Sequence, residues 1–526
     1  MQPNTRRSIH TIRVGLGGTL ALLVGLAMLV TSAFAQGTAA SSQATFPNGI
    51  QGQVELSPAK GFVGSQATLK GSGFDPGASL QVVWAAFDGK WDLEMKNGEY
   101  DGNFLGRSYT ERTVPLATVT TDAQGAFQTT FTVPEGFGGT HDIYVKQNGD
   151  NLNKAGFFVR ANWTMTPMSG PVGTNITIHA TGLDELNNVA GWDAVTYDQG
   201  ITGFITAQTT HGSATVVIPA TGRVGKHFVQ VTNAPFDAPY LALPSSPSGY
   251  LNLPQDTFTV TDGAPVLPKP IAQQDPTPTP GVEPTGTGPK LWVDPSGAGV
   301  FTKAQIHGRD LPANATIDLV YTQMSGSRVT TAGYTATTAP VATVTTDAEG
   351  AFDQPFQIPD ALGGEHRLEA KVGDKVVATS HFDVEAIGLP LEPSKGPVGT
   401  KITLHMKGFG WTQTNNIFAI VIDNVFAGYA CGFSTNGDVV VPLTATWAPG
   451  WHYIDLYPSF YRNKDYGAVD QQPFLYRQAI LTDRPARPVS WSGLACGTRF
   501  PETAGRGLVS PAIRCCCRRP RPPARA

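Results

Sequence analysis

The chain has 526 residues, too many for a single hydrophobic core and enough for about three to five domains. Its 59 Gly and 41 Pro, with only 15% charged residues, favour short strands and many turns over helices. The net charge is -4, yet nine Arg crowd residues 483–526 and three precede the first apolar run, so the body between is acidic. That excludes general nucleic-acid binding, which needs basic surface against phosphates.

In chain order, the first segment reads as a secretory signal. Arg6, Arg7 and Arg13 supply the positive end, Val14 to Val30 is uncharged and mostly apolar, and Ala33-Phe34-Ala35 offers a cleavage site. Residues 1–35 are therefore expected to be removed, leaving no integral membrane span. An uncleaved anchor is the alternative, and the glycines within the segment weigh against it. The protein is expected to be secreted, extracellular or associated with the cell surface. Of five Cys, only Cys431 falls inside a predicted domain, where it reads as a small buried hydrophobe.

Residues 36–50 are expected to form a flexible lead. Residues 51–160 read as the first domain, with strands near 53–56, 66–70, 79–87, 116–121, 127–133, 141–145 and 156–159. Leu80, Val82 and Trp84 alternate with less apolar residues, the period of a half-buried strand. Seven short strands at such spacing are the signature of an immunoglobulin-like sandwich. Residues 161–262 repeat that plan. Residues 263–290 form a Pro/Thr-rich linker, expected to be a semi-stiff spacer or hinge. Residues 291–385 and 386–482 are the third and fourth domains. Residues 483–526 lose all strand periodicity and read either as a basic disordered tail or as a frame-shifted end.

Two phrases show how the domains are related. ATVTTDAQGAF at 117–127 returns as ATVTTDAEGAF at 342–352, and SGPVGTNITIHATG at 169–182 as KGPVGTKITLHMKG at 395–408. The intervals are 225 and 226 residues, so a two-domain unit has been duplicated. Asp122 and Asp347 could offer oxygen ligands to Ca²⁺, but one carboxylate per turn makes a poor cage, and turn formation is the better reading. His141 pairs with His366, and His179 with His405, at matching strand positions, which reads as structure rather than metal binding. There is no G-x-S-x-G, H-E-x-x-H or P-loop, so no enzyme activity, cofactor or metal is expected.

The domain openings carry a family pattern: SPAKGFVGSQATLKGSGFDPG, TPMSGPVGTNITIHATGL and EPSKGPVGTKITLHMKGFG, with DPSGAGVFTKAQIHGRDLPAN lacking the second glycine of the turn. This resembles the IPT/TIG and related bacterial immunoglobulin-like domains of secreted and surface proteins. The resemblance covers most of residues 51–482. It implies an all-β fold of tandem immunoglobulin-like β-sandwich domains with extracellular binding or structural roles, and carries over no catalytic residue.

Candidate binding residues are the aromatics that escape strand alternation. Trp91, Tyr100, Phe104 and Tyr109 lie in the polar stretch 88–113, read as a long loop at the end of the first sandwich. Trp447 and Trp451 stand in an aromatic-rich part of the fourth domain that also holds Trp411 and Tyr461. Such rings could stack on sugars or anchor a protein, although Trp447 and Trp451 could equally pack under a strand edge. The expectation is a non-catalytic, adhesion-type binding or structural protein whose partner is an extracellular protein or polysaccharide. The alternatives are a carbohydrate-binding envelope protein, and an accessory region of an extracellular enzyme lacking its catalytic domain.

Overall fold

A computed structural model describes residues 44–96, 99–183, 193–232, 256–326, 333–410, 417–432, 436–458 and 476–483. The expected signal segment, the basic tail, Trp411 and Tyr461 lie outside the described residues. The fold is all-β, built of tandem immunoglobulin-like sandwiches. Among the described residues there are eight sheets, which pair as four sandwiches of one three-stranded and one five-stranded sheet.

The first sandwich comprises β1 (Gln53–Ser57), β2 (Lys60–Gly61), β3 (Gln66–Ser72), β4 (Ser79–Lys96), β5 (Glu99–Thr120), β6 (Phe127–Thr132), β7 (Gly139–Gln147) and β8 (Asp150–Val159). The second comprises β9 (Asn162–Thr166), β10 (Ser169–Gly170), β11 (Asn175–Thr181), β12 (Asp193–Tyr197), β13 (Gly200–Ile205), β14 (Ala214–Pro219), β15 (Gly225–Thr232) and β16 (Asp256–Val260). The third comprises β17 (Lys290–Asp294), β18 (Gly297–Gly299), β19 (Lys303–Arg309), β20 (Thr316–Gly326), β21 (Tyr334–Thr345), β22 (Phe352–Gln357), β23 (Gly364–Val372) and β24 (Lys375–Glu385). The fourth comprises β25 (Ile387–Gly388), β26 (Lys395–Pro397), β27 (Lys401–Lys407), β28 (Ile417–Ile422), β29 (Val425–Cys431), β30 (Val439–Thr444), β31 (Gly450–Pro458) and β32 (Tyr476–Asp483).

One topology serves all four. In the first sandwich the sheets run β1-β3-β6 and β2-β8-β7-β4-β5, and the other three repeat that order. The opening strand pairs in the small sheet; the chain then turns at an X-Pro peptide and crosses to the large one. There β2, β10, β18 and β26 each run parallel to the last strand of their sandwich. Alternation places the core between the sheets: Leu69 of β3, Leu80, Val82 and Trp84 of β4, and Ile143 of β7 are all fully buried. Each such side chain contributes on the order of 1.5–3 kcal/mol through removal from water.

The repeated phrases have local causes. In both copies of the D-A-x-G turn the Asp carboxylate accepts two backbone N–H groups: Gln124 and Ala126 for Asp122, Glu349 and Ala351 for Asp347. These carboxylates hold the turn, as side chains of this kind do. The G-x-V-G-[TS] turn needs a left-handed residue, and Gly64, Gly173 and Gly399 supply it at φ 81°, 86° and 96°. In the third copy Phe301 takes that conformation itself, at φ 67°.

Two expectations are corrected here. Residues 44–50 do not trail away: Ala44 packs on Val83, Ala85 and Tyr144, and the Thr45 carbonyl accepts from Asn151 Nδ2 at 3.1 Å. The Pro/Thr linker is not a free hinge. Val266 N–H bonds the Val172 carbonyl of the second sandwich at 2.8 Å, and its carbonyl accepts Tyr453 Oη of the fourth at 2.7 Å. Farther on, the Gln274 side chain reads the backbone of Arg477, accepting its N–H and donating to its carbonyl, both at 2.8 Å. Thr279 then joins Gly297 of the third sandwich. Proline leaves such a segment without a ladder of its own, so its polar groups are satisfied by the domains it crosses.

Candidate functional site

Residues 88–96 and 99–113 are strand rather than loop. β4 runs on past the sandwich to Lys96, β5 returns from Glu99, and the two stay paired from Ser79↔Thr120 to Lys96↔Glu99. A bulge between Val82 and Val83, opposite Pro115, lies within the body of the sheet, and the arm begins beyond Trp84, the last β4 residue that pairs with β7. A proline is tolerated at such a bulge because no ladder bond is asked of it there. Trp91 pairs with Arg107 and Phe104 with Leu93 along the backbone, and Tyr100 falls at the last register shift. The side chains of Trp91, Tyr100 and Phe104 lie outside the described structure.

Tyr109 stands at the base of the arm and is committed to a domain junction. Its hydroxyl donates to Gln208 Oε1 at 2.8 Å, and its ring meets Phe137 edge-on at 5.6 Å. Gln208, 1% exposed, also donates weakly to the Lys90 and Ser108 carbonyls. Asp88 adds Arg112 at 2.7 Å and His211 at 3.0 Å, and Ser213 Oγ donates to Glu135 at 2.7 Å. The arm therefore rises from a base clamped between the first two sandwiches.

Trp447 and Trp451 are also accounted for. Trp447 is half-buried against the fourth core, its ring 5.2 Å from that of His452. Trp451 lines a cleft of about 350 Å³ with Leu267 and Pro268 of the Pro/Thr segment and Ser394, Lys395, Ala479 and Leu481 of the fourth sandwich. Cys431 is half-buried on β29.

The structure adds a polar seam between the second and fourth sandwiches. Arg477 and Asp455, 4% and 2% exposed, meet through two bonds of 2.7 and 2.8 Å. Burial pushes the Asp455 carboxyl upward and Arg477 pulls the other way. Arg477 also donates to Asn175 Oδ1 of the second sandwich at 2.9 Å. Fully buried Asn424 donates to the Pro219 carbonyl at 2.7 Å and accepts Thr202 Oγ1 on its own carbonyl at 2.7 Å. Tyr453 faces Gly173, where a Cβ would strike its hydroxyl; burial pushes its phenol up to about 12. A smaller tie joins the third and fourth sandwiches, where Lys407 reaches Asp360 and Asp438, both at 2.7 Å.

One sequence signal could have found this seam. In Trp451-His452-Tyr453-Ile454-Asp455-Leu456-Tyr457 both alternating sets are rich in large apolar or aromatic residues, which marks a strand covered on both faces. Chemically the arrangement braces one sandwich against another. Among the described residues no group of three or more His, Cys, Asp or Glu could hold a metal ion, and no helix is long and apolar enough to cross a membrane.

Neither a family model nor a curated protein matches the sequence. Solved structures do. The Salmonella alpha-2-macroglobulin reacted with methylamine matches at 11% identity over 83% of this chain and 31% of that one, with a TM-score of 0.17. The Escherichia coli adhesin FdeC matches at 13% identity over 64% of this chain and 97% of that one, with a TM-score of 0.15. The ICAM-5 D1–D4 ectodomain fragment matches at 12% identity over 82% and 100%, with a TM-score of 0.15. The chain thus spans 31% of the length of that macroglobulin. Likenesses this low carry no weight for a ligand.

Proposed function

We propose that the chain is a non-catalytic binding protein of the cell surface or extracellular space, adhesion-type in its working, with the β4–β5 arm as its contact element. The observation that carries this reading is the arm itself. β4 has 18 residues where its counterpart β20 has 11, a difference of about 20 Å of strand. Its base is clamped by the Tyr109–Gln208 junction, so a partner would meet a braced element and little ordering entropy would be lost on contact. The export-type N-terminus and the IPT/TIG-like openings agree with an extracellular setting. A variant whose arm is cut back to the length of β20–β21 tests the reading. Cells or immobilised extracellular polymers that retain the full chain should release the shortened one at unchanged melting temperature; equal retention would remove the arm from the argument.

A second reading, carbohydrate binding, is favoured by the Trp451 cleft, which sets an indole beside Lys395. Glycan screening of the Trp451→Ala and Trp91→Ala variants separates the two. A glycan ligand lost in Trp451→Ala alone would move the contact from the arm to the cleft.

A further inference from the structure

Every sandwich carries the tripeptide Gly-x-His at the start of the same strand: Gly139–His141, Gly225–His227, Gly364–His366 and Gly450–His452. All four glycines have positive φ, between 96° and 147°. All four rings are held alike. Nε2 faces the carbonyl four residues earlier: Phe137 at 2.8 Å, Arg223 at 2.7 Å, Leu362 at 2.7 Å and Ala448 at 2.7 Å. Nδ1 faces an oxygen on the neighbouring hairpin: the Ala85 carbonyl at 2.8 Å, Asp198 Oδ2 at 2.6 Å, the Thr322 carbonyl at 2.9 Å and Asp423 Oδ2 at 2.6 Å.

A carbonyl or an ionised carboxylate can only accept. A neutral imidazole has one N–H and one lone pair, so it would leave a lone pair against an oxygen at hydrogen-bond distance. Only the doubly protonated ring donates at both ends. An aromatic ring lies against each: Trp84 4.8 Å from His141, Tyr197 5.4 Å from His227, Phe382 5.4 Å from His366 and Trp447 5.2 Å from His452.

We propose that each sandwich is closed by this bridging histidine, and that in the fourth sandwich the His452 ring, set between the Asp423 carboxylate and the Ala448 carbonyl, is doubly protonated and forms a pH clasp, tight in acid and loosened as the pH rises. The groups facing each ring differ. Around His141 they are Trp84, Ala85 and Phe87 from β4 and the Phe137 carbonyl, and neither ring nitrogen bonds a carboxylate. Around His366 they are Tyr321 and Thr322 from β20, Phe382 from β24 and the Leu362 carbonyl. Asp198 and Tyr197 face His227, with the Arg223 backbone behind. Asp423 and Trp447 face His452, and the Asp455–Arg477 pair lies farther along β31 and β32. Asp198 and Asp423 each spend their second oxygen on a backbone N–H, of Phe228 and Tyr453.

For His452 the sign follows directly. Burial alone would favour the neutral ring, but the bond to Asp423, its charge and the Ala448 carbonyl outweigh it, and the pKa lies above the ordinary 6.5. A raised folded value means stabilisation that is complete below about 6.5 and is lost as the pH rises through the folded pKa.

The test is ring ¹⁵N NMR of the full chain from pH 5 to 9, with His→Gln variants at 141, 227, 366 and 452 to assign signals, read beside the urea midpoint. His452 should keep both ring nitrogens protonated to a higher pH than free histidine does, and the midpoint should fall as that ring loses its proton. A neutral-tautomer signal from His452 at pH 6, or a midpoint flat across the range, would overturn the proposal. Should a His variant fail to fold, Asp423→Asn keeps the shape and removes one counter-charge. It should lower the pH at which His452 alone deprotonates; no shift would equally count against the clasp.

Discussion

The first pair of sandwiches and the second share their interiors and diverge at their edges. Thr121 and Thr346 do the same work: each hydroxyl accepts the N–H just before the long strand β4 or β20, that of Ala78 or Ala315, and donates to the carbonyl of Asp75 or Pro312. Gly71 and Gly308 each lie under an aromatic ring, Phe127 or Phe352. The edges answer to different neighbours. The first pair has the long arm and its Tyr109 brace; the second has the buried Asp455–Arg477 pair, where Gln230 occupies the matching place in the second sandwich. Duplication has thus kept what makes a sandwich and altered what a sandwich touches.

The sharpest way to break this comparison is at Arg477. Arg477→Met should strip the partner from a buried carboxylate and cost about 3–5 kcal/mol, seen as early unfolding of the fourth sandwich in calorimetry. Replacing Asp455 and Arg477 together by apolar residues of like size should recover most of the loss. Next come the shared threonines. Thr121→Val and Thr346→Val should each cost about 1–3 kcal/mol, because a strand N–H loses its acceptor. Equal costs would support a common interior, and a twofold difference in the urea midpoint shift would argue that the pairs have drifted inside as well.

How much of this could be read beforehand depended on how local the cause was. The strands, the Asp122 and Asp347 turns and the glycine openings were legible because their causes lie within a few residues: period two, an Asx bond, a positive φ. The arm was misread as loop because a hairpin beyond the sandwich has no core to impose alternation on it. The Pro/Thr segment was misread as a hinge because its bonds to Val172, Tyr453, Arg477 and Gly297 are all tertiary. The histidines were half-read. His141 was matched with His366, but His227 and His452 sit in the same Gly-x-His setting without the long repeated phrases that drew attention to the first two.

Smaller effects sharpen the picture at single contacts. Tyr109→Phe should cost about 0.5–1.5 kcal/mol through one lost bond to Gln208, with the arm still formed. The third sandwich has a shorter hairpin and should be indifferent to changes at its own arm base.

The least effect is expected at Phe301, and it tests whether the odd turn is a defect or an adaptation. A side chain in the left-handed region costs roughly 1–2 kcal/mol, which Gly64, Gly173 and Gly399 avoid in the sister turns. Phe301→Gly relieves that cost but adds about 0.5–1 kcal/mol of backbone entropy to the unfolded chain. It also removes a ring that lies 5.7 Å from the Lys407 ammonium of the fourth sandwich, an interaction of about 0.5–1 kcal/mol. The opposing contributions nearly cancel, so the urea midpoint should move little. Lys407→Met in the Phe301→Gly background then decides the matter. If the ring serves the junction, the two substitutions together should cost less than the sum of their separate effects; strict additivity would mean Phe301 sits in that turn for no structural reason.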